Sequence, residues 1–267
     1  MRAGYLARGF IYALIGVIAL GAAFSDGETR GFLGSLAQLR GAPFNQPILL
    51  ALAAGLACYS IWRGLDAIID LAGHGRGFGF VERGGLFFVA LLHLGLAWYA
   101  IRLAMGGAPF ATGSGSRAAA VLRMLIEDPF GRAFIALGGL GTISFGAYSI
   151  AKGMTGFYRR NMRRSRALIW LMPLMSFGLV ARGIVLGMMG GFIIWAAWTL
   201  DPDVAGGYGE TLRRIRAGVH GRVLLGLAGM GMVAFSFYCI CEAFLRVIPP
   251  RPASGPGPGC PAPAGRL

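Results

Sequence analysis

The chain has 267 residues, of which 56% are hydrophobic and only 13% are charged. Soluble globular domains carry about a quarter charged residues, so this composition excludes an ordinary soluble protein and predicts an integral membrane protein. A formal net charge of +14 would suggest nucleic-acid binding in a soluble chain. Here the basic residues lie at the ends of apolar runs rather than on one amphipathic element, and we expect no nucleic-acid partner.

Six apolar runs, each long enough to cross a bilayer, follow one another along the chain. They lie at about residues 9–24, 46–66, 84–104, 131–151, 179–199 and 220–245. The first run has a basic start and small residues near its end, which is also the pattern of a cleaved signal peptide. However, residues 4–16 recur at constant spacing as residues 178–190, inside the chain. We therefore expect the first run to be a membrane helix of the mature protein.

Shared motifs at the ends of the runs indicate an internal repeat. The odd-numbered runs open with Ala7-Arg8-Gly9, Glu82-Arg83-Gly84 and Ala181-Arg182-Gly183. The even-numbered runs carry a tyrosine followed one helical turn later by a charge: Tyr59 and Arg63, Tyr148 and Lys152, Tyr238 and Glu242. The sequence thus predicts an all-α integral membrane fold of three tandem two-helix repeats, at about residues 4–70, 79–154 and 174–247, within one membrane domain of residues 1–247.

Each repeat also has a short amphipathic stretch between its two runs. These stretches lie at residues 32–39, 120–125 and 212–215. Apolar residues at helical spacing between charged ones predict a short helix lying at the membrane surface. An ordinary ordered loop is the alternative.

The distribution of basic residues predicts the orientation of the chain in the membrane. Fifteen of the 25 Lys and Arg residues lie on the side of the N-terminus and ten on the other. Because short basic loops stay in the cytoplasm, we expect a bacterial cytoplasmic membrane protein with both termini inside. The largest basic cluster, Arg159–Arg166, is a candidate contact for anionic lipid. Residues 248–267 are rich in Pro and Gly and predict a disordered cytoplasmic tail.

Small residues recur every four positions on two of the runs. They are Gly183, Gly187 and Gly191 on the fifth run and Gly138, Thr142 and Gly146 on the fourth. Small residues at this spacing let helix backbones approach closely in lipid. We expect these glycines to form a helix-packing seam, with Val185 facing lipid. Whether the seam is internal or joins two copies in a homo-oligomer stays open.

Six charged residues near one end of the runs are the candidate functional residues. They are Arg8, Arg83 and Arg182 on the odd-numbered runs and Arg63, Lys152 and Glu242 on the even-numbered ones. Long basic side chains near a helix end reach the headgroup region at little cost, so helix anchoring is the leading interpretation. The alternatives are an interhelical ion pair of Glu242 with an arginine, or a ring of arginines that coordinates an anion.

The sequence contains no recognisable catalytic, cofactor-binding or metal-binding pattern. His93 has no second histidine or acidic residue one turn away, so we interpret it as structural. No acidic residue lies near the middle of a run, which argues against a proton or sodium relay. We therefore expect a protein that is not an enzyme and holds no cofactor or metal. Two function classes remain: a structural or lipid- or partner-interacting membrane component, and a small-solute or ion transporter or channel with a pseudo-threefold pathway.

The repeated openings at residues 4–12, 82–87 and 179–183, together with Pro129-Phe130-Gly131-Arg132, resemble the bacterial DUF1206 family. The resemblance covers about residues 4–246 and implies three tandem two-helix repeats in the membrane. It implies no activity, catalytic residue or cofactor. The second opening departs from the other two at Glu82 and Gly85, which sets Arg83 apart from Arg8 and Arg182.

Overall fold

The computed structural model describes residues 2–25, 27–69, 79–110, 117–156, 166–201 and 203–245. These residues form long helices joined in pairs by short ones. The long helices are α1 (Arg2–Phe24), α3 (Asn45–Ile69), α4 (Gly79–Ala104), α6 (Pro129–Thr155), α7 (Arg166–Thr199) and α9 (Gly221–Leu245). The short helices are α2 (Phe32–Gln38), which a 3-10 turn extends over Leu39–Gly41, α5 (Arg117–Glu127) and α8 (Tyr208–Ala217). The predicted tail and most of the Arg159–Arg166 loop lie outside the described residues.

All six long helices are long and apolar enough to cross a membrane. The predicted all-α membrane fold, with short helices in the outer connections, is therefore confirmed. The main difference is the start of α7, at Arg166 rather than near residue 179. Pro173 lies inside this helix, where it removes only one backbone donor, and the apolar residues around it continue the helix.

The short helices are amphipathic, as their spacing predicts. Two of them, α2 and α8, bury their apolar side on the bundle, whereas Val121 and Met124 of α5 are exposed. Leu36 of α2 and Leu212 of α8 are fully buried, and Ile126 of α5 is nearly so. The chain turns from α5 into α6 at Asp128, whose carboxylate accepts a hydrogen bond from the backbone N–H of Gly131 at 2.7 Å. An aspartate N-cap satisfies a free helix donor at such a turn.

The long helices pack most closely with helices of other repeats. The tight pairs are α1 with α9, α3 with α4, and α6 with α7. Two of these seams have glycine on both sides. A Cβ atom at Gly190 would lie 2.6 Å from the carbonyl oxygen of Gly139, and one at Gly16 would lie 2.8 Å from that of Gly229. Backbones meet directly at these points, as expected where lipid supplies no hydrophobic drive between helices.

The glycine seam differs in period from the sequence prediction. Gly183 and Gly146 do meet across α6 and α7, but a Cβ atom at Gly187, Gly191 or Gly138 would contact nothing within 4 Å. The glycines of α7 at which an added Cβ atom would collide with α6 are Gly183 and Gly190, two turns apart, because two nearly aligned helices return to the same face after two turns. The backbone N of Gly187 also lies in this seam, 3.0 Å from the Cβ position of Gly146. The prediction for Val185 is wrong, since this side chain is buried at 2% exposure.

Packing within a repeat shows that the first and third repeats are offset from the sequence alignment. Gly4 packs against the backbone of Tyr59, and the matching Gly178 packs against the backbone of Phe235. Tyr59 therefore corresponds to Phe235, not to Tyr238, and the equivalence of Arg63 with Glu242 is wrong by about one turn. The reason is the shorter connection in the first repeat.

The middle repeat is built differently from the other two. In the described structure α1 packs on α3 and α7 packs on α9, whereas α4 and α6 share no packed seam. Its connecting helix also stands apart: α2 and α8 meet at Gly31 and Gly209, while α5 packs on α6. The six helices thus form a ring that is open between α4 and α6.

Candidate functional site

The guanidinium groups of Arg8 and Arg182 lie over the same two aromatic rings inside the bundle, and the site is built around them. Arg8 lies six residues after the start of α1, about 9 Å along the axis at 1.5 Å per residue. Arg182 lies deeper in its own helix because α7 begins early, yet both guanidinium groups lie over the rings of Tyr12 and Phe235. The arginine pair therefore lies near the end of the bundle where α1 begins, which we term the N-terminal end.

Arg182 is held by three neighbouring helices. Its Nε donates to the hydroxyl of Tyr12 on α1 at 3.0 Å, and its Nη1 donates to Ser149 on α6 at 3.0 Å. Its guanidinium carbon lies 4.7 Å from the ring centre of Phe235 on α9. With an exposure of 5%, Arg182 is buried between these helices, and the anchoring interpretation stays a prediction.

Arg8 has fewer polar partners than Arg182. Its Nη1 donates to the hydroxyl of Tyr59 at 3.0 Å, and its guanidinium lies 5.2 Å from the ring centre of Phe235. Its Nε is buried and has no hydrogen-bond partner among the described residues. Buried polar atoms are nearly always paired, and in this cluster the Nε of Arg8 and the Oδ1 of Asp66 are exceptions.

Arg63 joins the same cluster from α3. Its Nε donates to the hydroxyl of Tyr59 at 3.1 Å, and its Nη1 lies 3.7 Å from the carboxylate of Asp66. Tyr59 thus accepts hydrogen bonds from both Arg8 and Arg63. On the side of α4, the ring of His93 packs against Tyr59 with 4.6 Å between ring centres.

Lys152 and Glu242 each contact Tyr238. The hydroxyl of Tyr238 donates to the carboxylate of Glu242 at 2.7 Å, and Nζ of Lys152 lies 5.3 Å from the centre of the Tyr238 ring. In the described part of the chain no carboxylate lies at ion-pair distance from Arg8 or Arg182. The predicted ion pair of Glu242 with an arginine is therefore not formed with either of them.

Arg83, the repeat counterpart of Arg8 and Arg182, is outside the cluster. Its Nε and Nη2 donate to the carbonyl oxygens of Ala67 and Ile68, each at 2.6 Å. These carbonyls belong to the last turn of α3, where a basic side chain satisfies free acceptors. Arg83 therefore caps a neighbouring helix.

An aromatic column closes the arginine pair on the side opposite the N-terminal end. Tyr12 packs edge-on against Phe235 at 4.7 Å and against Phe32 of α2 at 5.3 Å between ring centres. Phe32 in turn packs on Tyr208 of α8 at 5.3 Å. Two shallow clefts on the surface lie elsewhere, beside α5 and α6.

The cluster has more positive than negative charge. Its cationic members among the described residues are Arg8, Arg63, Lys152 and Arg182, and its carboxylates are Asp66 and Glu242. Asp66 lies 3.7 Å from Arg63, and Glu242, which is bonded to Tyr238, also acts attractively on Arg8. Four cations against two carboxylates leave the cluster with a surplus of positive charge.

Sequence reasoning missed Tyr12, Ser149 and Phe235, which complete the site. Each lies inside an apolar run, where aromatic or small residues are ordinary. A signal was present in the spacing: Tyr12 follows Arg8 by one helical turn, and Ser149 follows Phe145 by one turn, so each pair shares a helix face.

Three two-helix repeats, six candidate spans and an interior arginine pair define a multi-pass membrane protein built by internal repetition. The family model named Domain of Unknown Function (DUF1206) matches residues 3–70, 84–156 and 177–246, and the chain belongs to this family. It is also 30% identical over 250 residues to "Uncharacterized protein YxxB" of Bacillus subtilis (strain 168), covering 92% of this chain and 90% of that protein. No solved structure matches the chain.

Proposed function

We propose that this protein is a lipid-interacting membrane component that binds an anionic headgroup between Arg8 and Arg182. The observation that carries the proposal is the buried, unpartnered Nε of Arg8 beside a second buried arginine. Two guanidinium groups in a low-dielectric interior repel one another and have lost their hydration. A phosphate oxygen would neutralise the pair and accept the free N–H in a charge-assisted hydrogen bond.

The donors left over on the two arginines suit a phosphate. Arg182 uses Nε and Nη1 on Tyr12 and Ser149, and Arg8 uses Nη1 on Tyr59. Arginine presents its donors in a rigid planar fork that matches the geometry of phosphate oxygens. The protein bonds therefore fix the orientation of each fork and leave further donors for a ligand.

The depth of the pair suits a lipid headgroup. Arg8 lies only about 9 Å, six residues at 1.5 Å each, from the start of α1. The excess of basic residues on this side favours the cytoplasm. We infer that the headgroup comes from the inner leaflet of a bacterial cytoplasmic membrane, with both chain termini on the same side.

The aromatic column supports binding over conduction. A solute passing between the two ends of the bundle on the line of the arginine pair would have to displace Tyr12, Phe32 and Tyr208, which pack on one another. A binding site needs access from one direction only, and aromatic rings on its far side exclude water. The transporter interpretation has no comparable supporting feature.

The test compares the stability of purified protein in detergent with and without added lipid. A ligand that binds only the folded state raises its unfolding temperature, so phosphatidylglycerol should raise it and phosphatidylcholine should not. Arg8→Lys/Arg182→Lys should lose this response, because an ammonium lacks the planar fork. Arg83→Lys is the matched control, since Arg83 is the counterpart of Arg8 and Arg182 in the middle repeat but bonds to α3 carbonyls.

An equal response of the wild-type protein to both lipids would reject the proposal without any variant. So would a double lysine variant that folds normally and keeps the full response to phosphatidylglycerol. Loss of the response in Arg83→Lys as well would show that the response is not specific to the two buried arginines.

A further inference from the structure

The two helices of the middle repeat flank an opening in the ring that ends at the arginine pair. In the described structure α4 packs on α3, and α6 packs on α7, with no packed seam between α4 and α6. Each of these two helices nevertheless contributes a side chain to the cluster. His93 of α4 packs on Tyr59, and Ser149 of α6 accepts a hydrogen bond from Arg182. The inner wall of the opening is therefore the cluster itself.

Phe145 links the arginine pair to the outside of the bundle. Its ring centre lies 4.9 Å from the guanidinium carbon of Arg182, yet its side chain is 40% exposed. Arg182 itself is buried. A molecule that approaches α6 from the bilayer would contact Phe145 and reach Arg182 directly behind it.

The surface of α6 before Phe145 is lined by small residues, and we call the stretch at Gly138, Gly141 and Thr142 the groove. Gly138 and Thr142 precede Phe145 at helical spacing and so share its face. A Cβ atom at Gly138 or Gly141 would contact nothing within 4 Å, and the Thr142 hydroxyl is turned back to the carbonyl of Gly138 at 2.9 Å. This stretch is therefore apolar, and the space above its glycines is open.

We propose that the opening between α4 and α6 is a lateral entrance for an anionic phospholipid, whose acyl chain lies along Gly138, Gly141 and Thr142 while its headgroup lies at Arg8 and Arg182. This inference rests on the proposed function and adds the source of the anion and its path. Charge and polarity both select this occupant. The inner end carries the surplus positive charge of the cluster and the free Nε of Arg8, and the flank along α6 is apolar, as an acyl chain requires.

A first experiment fills the groove without touching the arginines. Gly138→Leu/Gly141→Leu places side chains into open space, so the fold should persist, and Gly191→Leu, also in open space but on α7, is the matched control. The groove variant should lose stabilisation by phosphatidylglycerol, while stabilisation by inorganic phosphate stays at the wild-type value. The control should keep both.

Full phosphatidylglycerol stabilisation in the groove variant would overturn the entrance and leave the arginine site standing. Failure of the site itself has a different signature, namely no response of the wild-type protein to either phosphate or phosphatidylglycerol. A free solute anion as the natural ligand would be indicated by stabilisation of the wild type by phosphate alone, and this would also overturn the entrance.

A second experiment locates the chain directly. Phosphatidylglycerol carrying a photoreactive diazirine in its acyl chain should crosslink to residues 138–145 of wild-type protein, and the label should fall to the phosphatidylcholine background in Arg8→Lys/Arg182→Lys. Crosslinks spread evenly over the outer faces of all six long helices would contradict the proposal. The proposal would also be contradicted if α6 took no label and the protein were a dimer at every concentration, because a second copy of the chain would then cover this surface.

Discussion

The outer repeats and the middle repeat share one sequence pattern but do different things. In the first and third repeats the two long helices pack against each other and their opening arginine is turned into the bundle. In the middle repeat α4 and α6 stand apart, and Arg83 caps the end of α3. A repeated motif therefore specifies the helices and their order, while the neighbours of each copy decide what its arginine contacts.

The largest expected effect comes from the glycine seam of the outer repeats. In Gly16→Leu the new side chain would collide with backbone atoms of Gly229 and Val233, so overpacking should cost about 3 kcal/mol of unfolding free energy. Gly95→Leu on α4 enters open space and should stay within about 0.5 kcal/mol of wild type. Thermal unfolding in detergent measures both, and equal losses would show that the middle repeat is packed as tightly as the others.

Tyr12→Phe should have the next largest effect. It keeps the ring beneath the two arginines but removes the acceptor of Arg182 Nε, and an unpaired buried charge donor costs about 2 kcal/mol. Tyr99→Phe on α4 is the control from the middle repeat, because its hydroxyl accepts only a long 3.3 Å hydrogen bond from the N–H of Phe110. Chemical denaturation should rank Tyr12→Phe as clearly the more damaging. The reverse order would contradict the role given to Tyr12.

Arg83→Met should have a smaller effect of a different kind. It leaves the last carbonyls of α3 without their capping donors, which costs about 0.5 to 1 kcal/mol at a helix end. Because Arg83 is not part of the cluster, retention of anionic lipid by the purified variant should be unchanged. Bound lipid is measured by extraction and mass spectrometry of the purified variant. A smaller amount of anionic lipid than in the wild type would show that all three repeat arginines act together.

The smallest expected effect concerns the connecting helix α8 and its Glu210 carboxylate. Partial burial raises the pKa of Glu210, but hydrogen bonds and charge from Arg213 at 2.6 Å and Arg214 at 3.1 Å outweigh it and hold this pKa below its usual value. A depressed folded pKa stabilises the fold above the ordinary carboxyl pKa, and the contribution disappears as the pH falls through the lower folded value. Glu210→Gln should therefore lose a small amount of stability at neutral pH and none at strongly acidic pH. Thermal scans across this range test it, and a difference that grows toward acid would have the wrong sign.

The sequence was sufficient for the architecture because length, hydropathy and repetition are properties of single segments. It was not sufficient for the glycine seam. The sequence has glycines spaced by four residues, at Gly183 and Gly187, and by seven, at Gly183 and Gly190, and only the way α7 lies against α6 decides which positions have no room for a side chain. It misplaced the counterpart of Tyr59 because the first repeat is shorter. Helix position predicted that Arg8 and Arg182 lie near one end, but not that they face inward, since that depends on helices from other repeats.

The pairing of α1 with α9 has a consequence for how the protein is made. The first helix leaves the ribosome long before the last, so Gly16 and Arg8 enter the membrane without the partners that later cover them. The seam between α3 and α4 can form early, the one between α6 and α7 next, and the one between α1 and α9 only when α9 arrives. The site is thus completed only at the end of synthesis, and a chain interrupted before α9 leaves its first helix without its main partner.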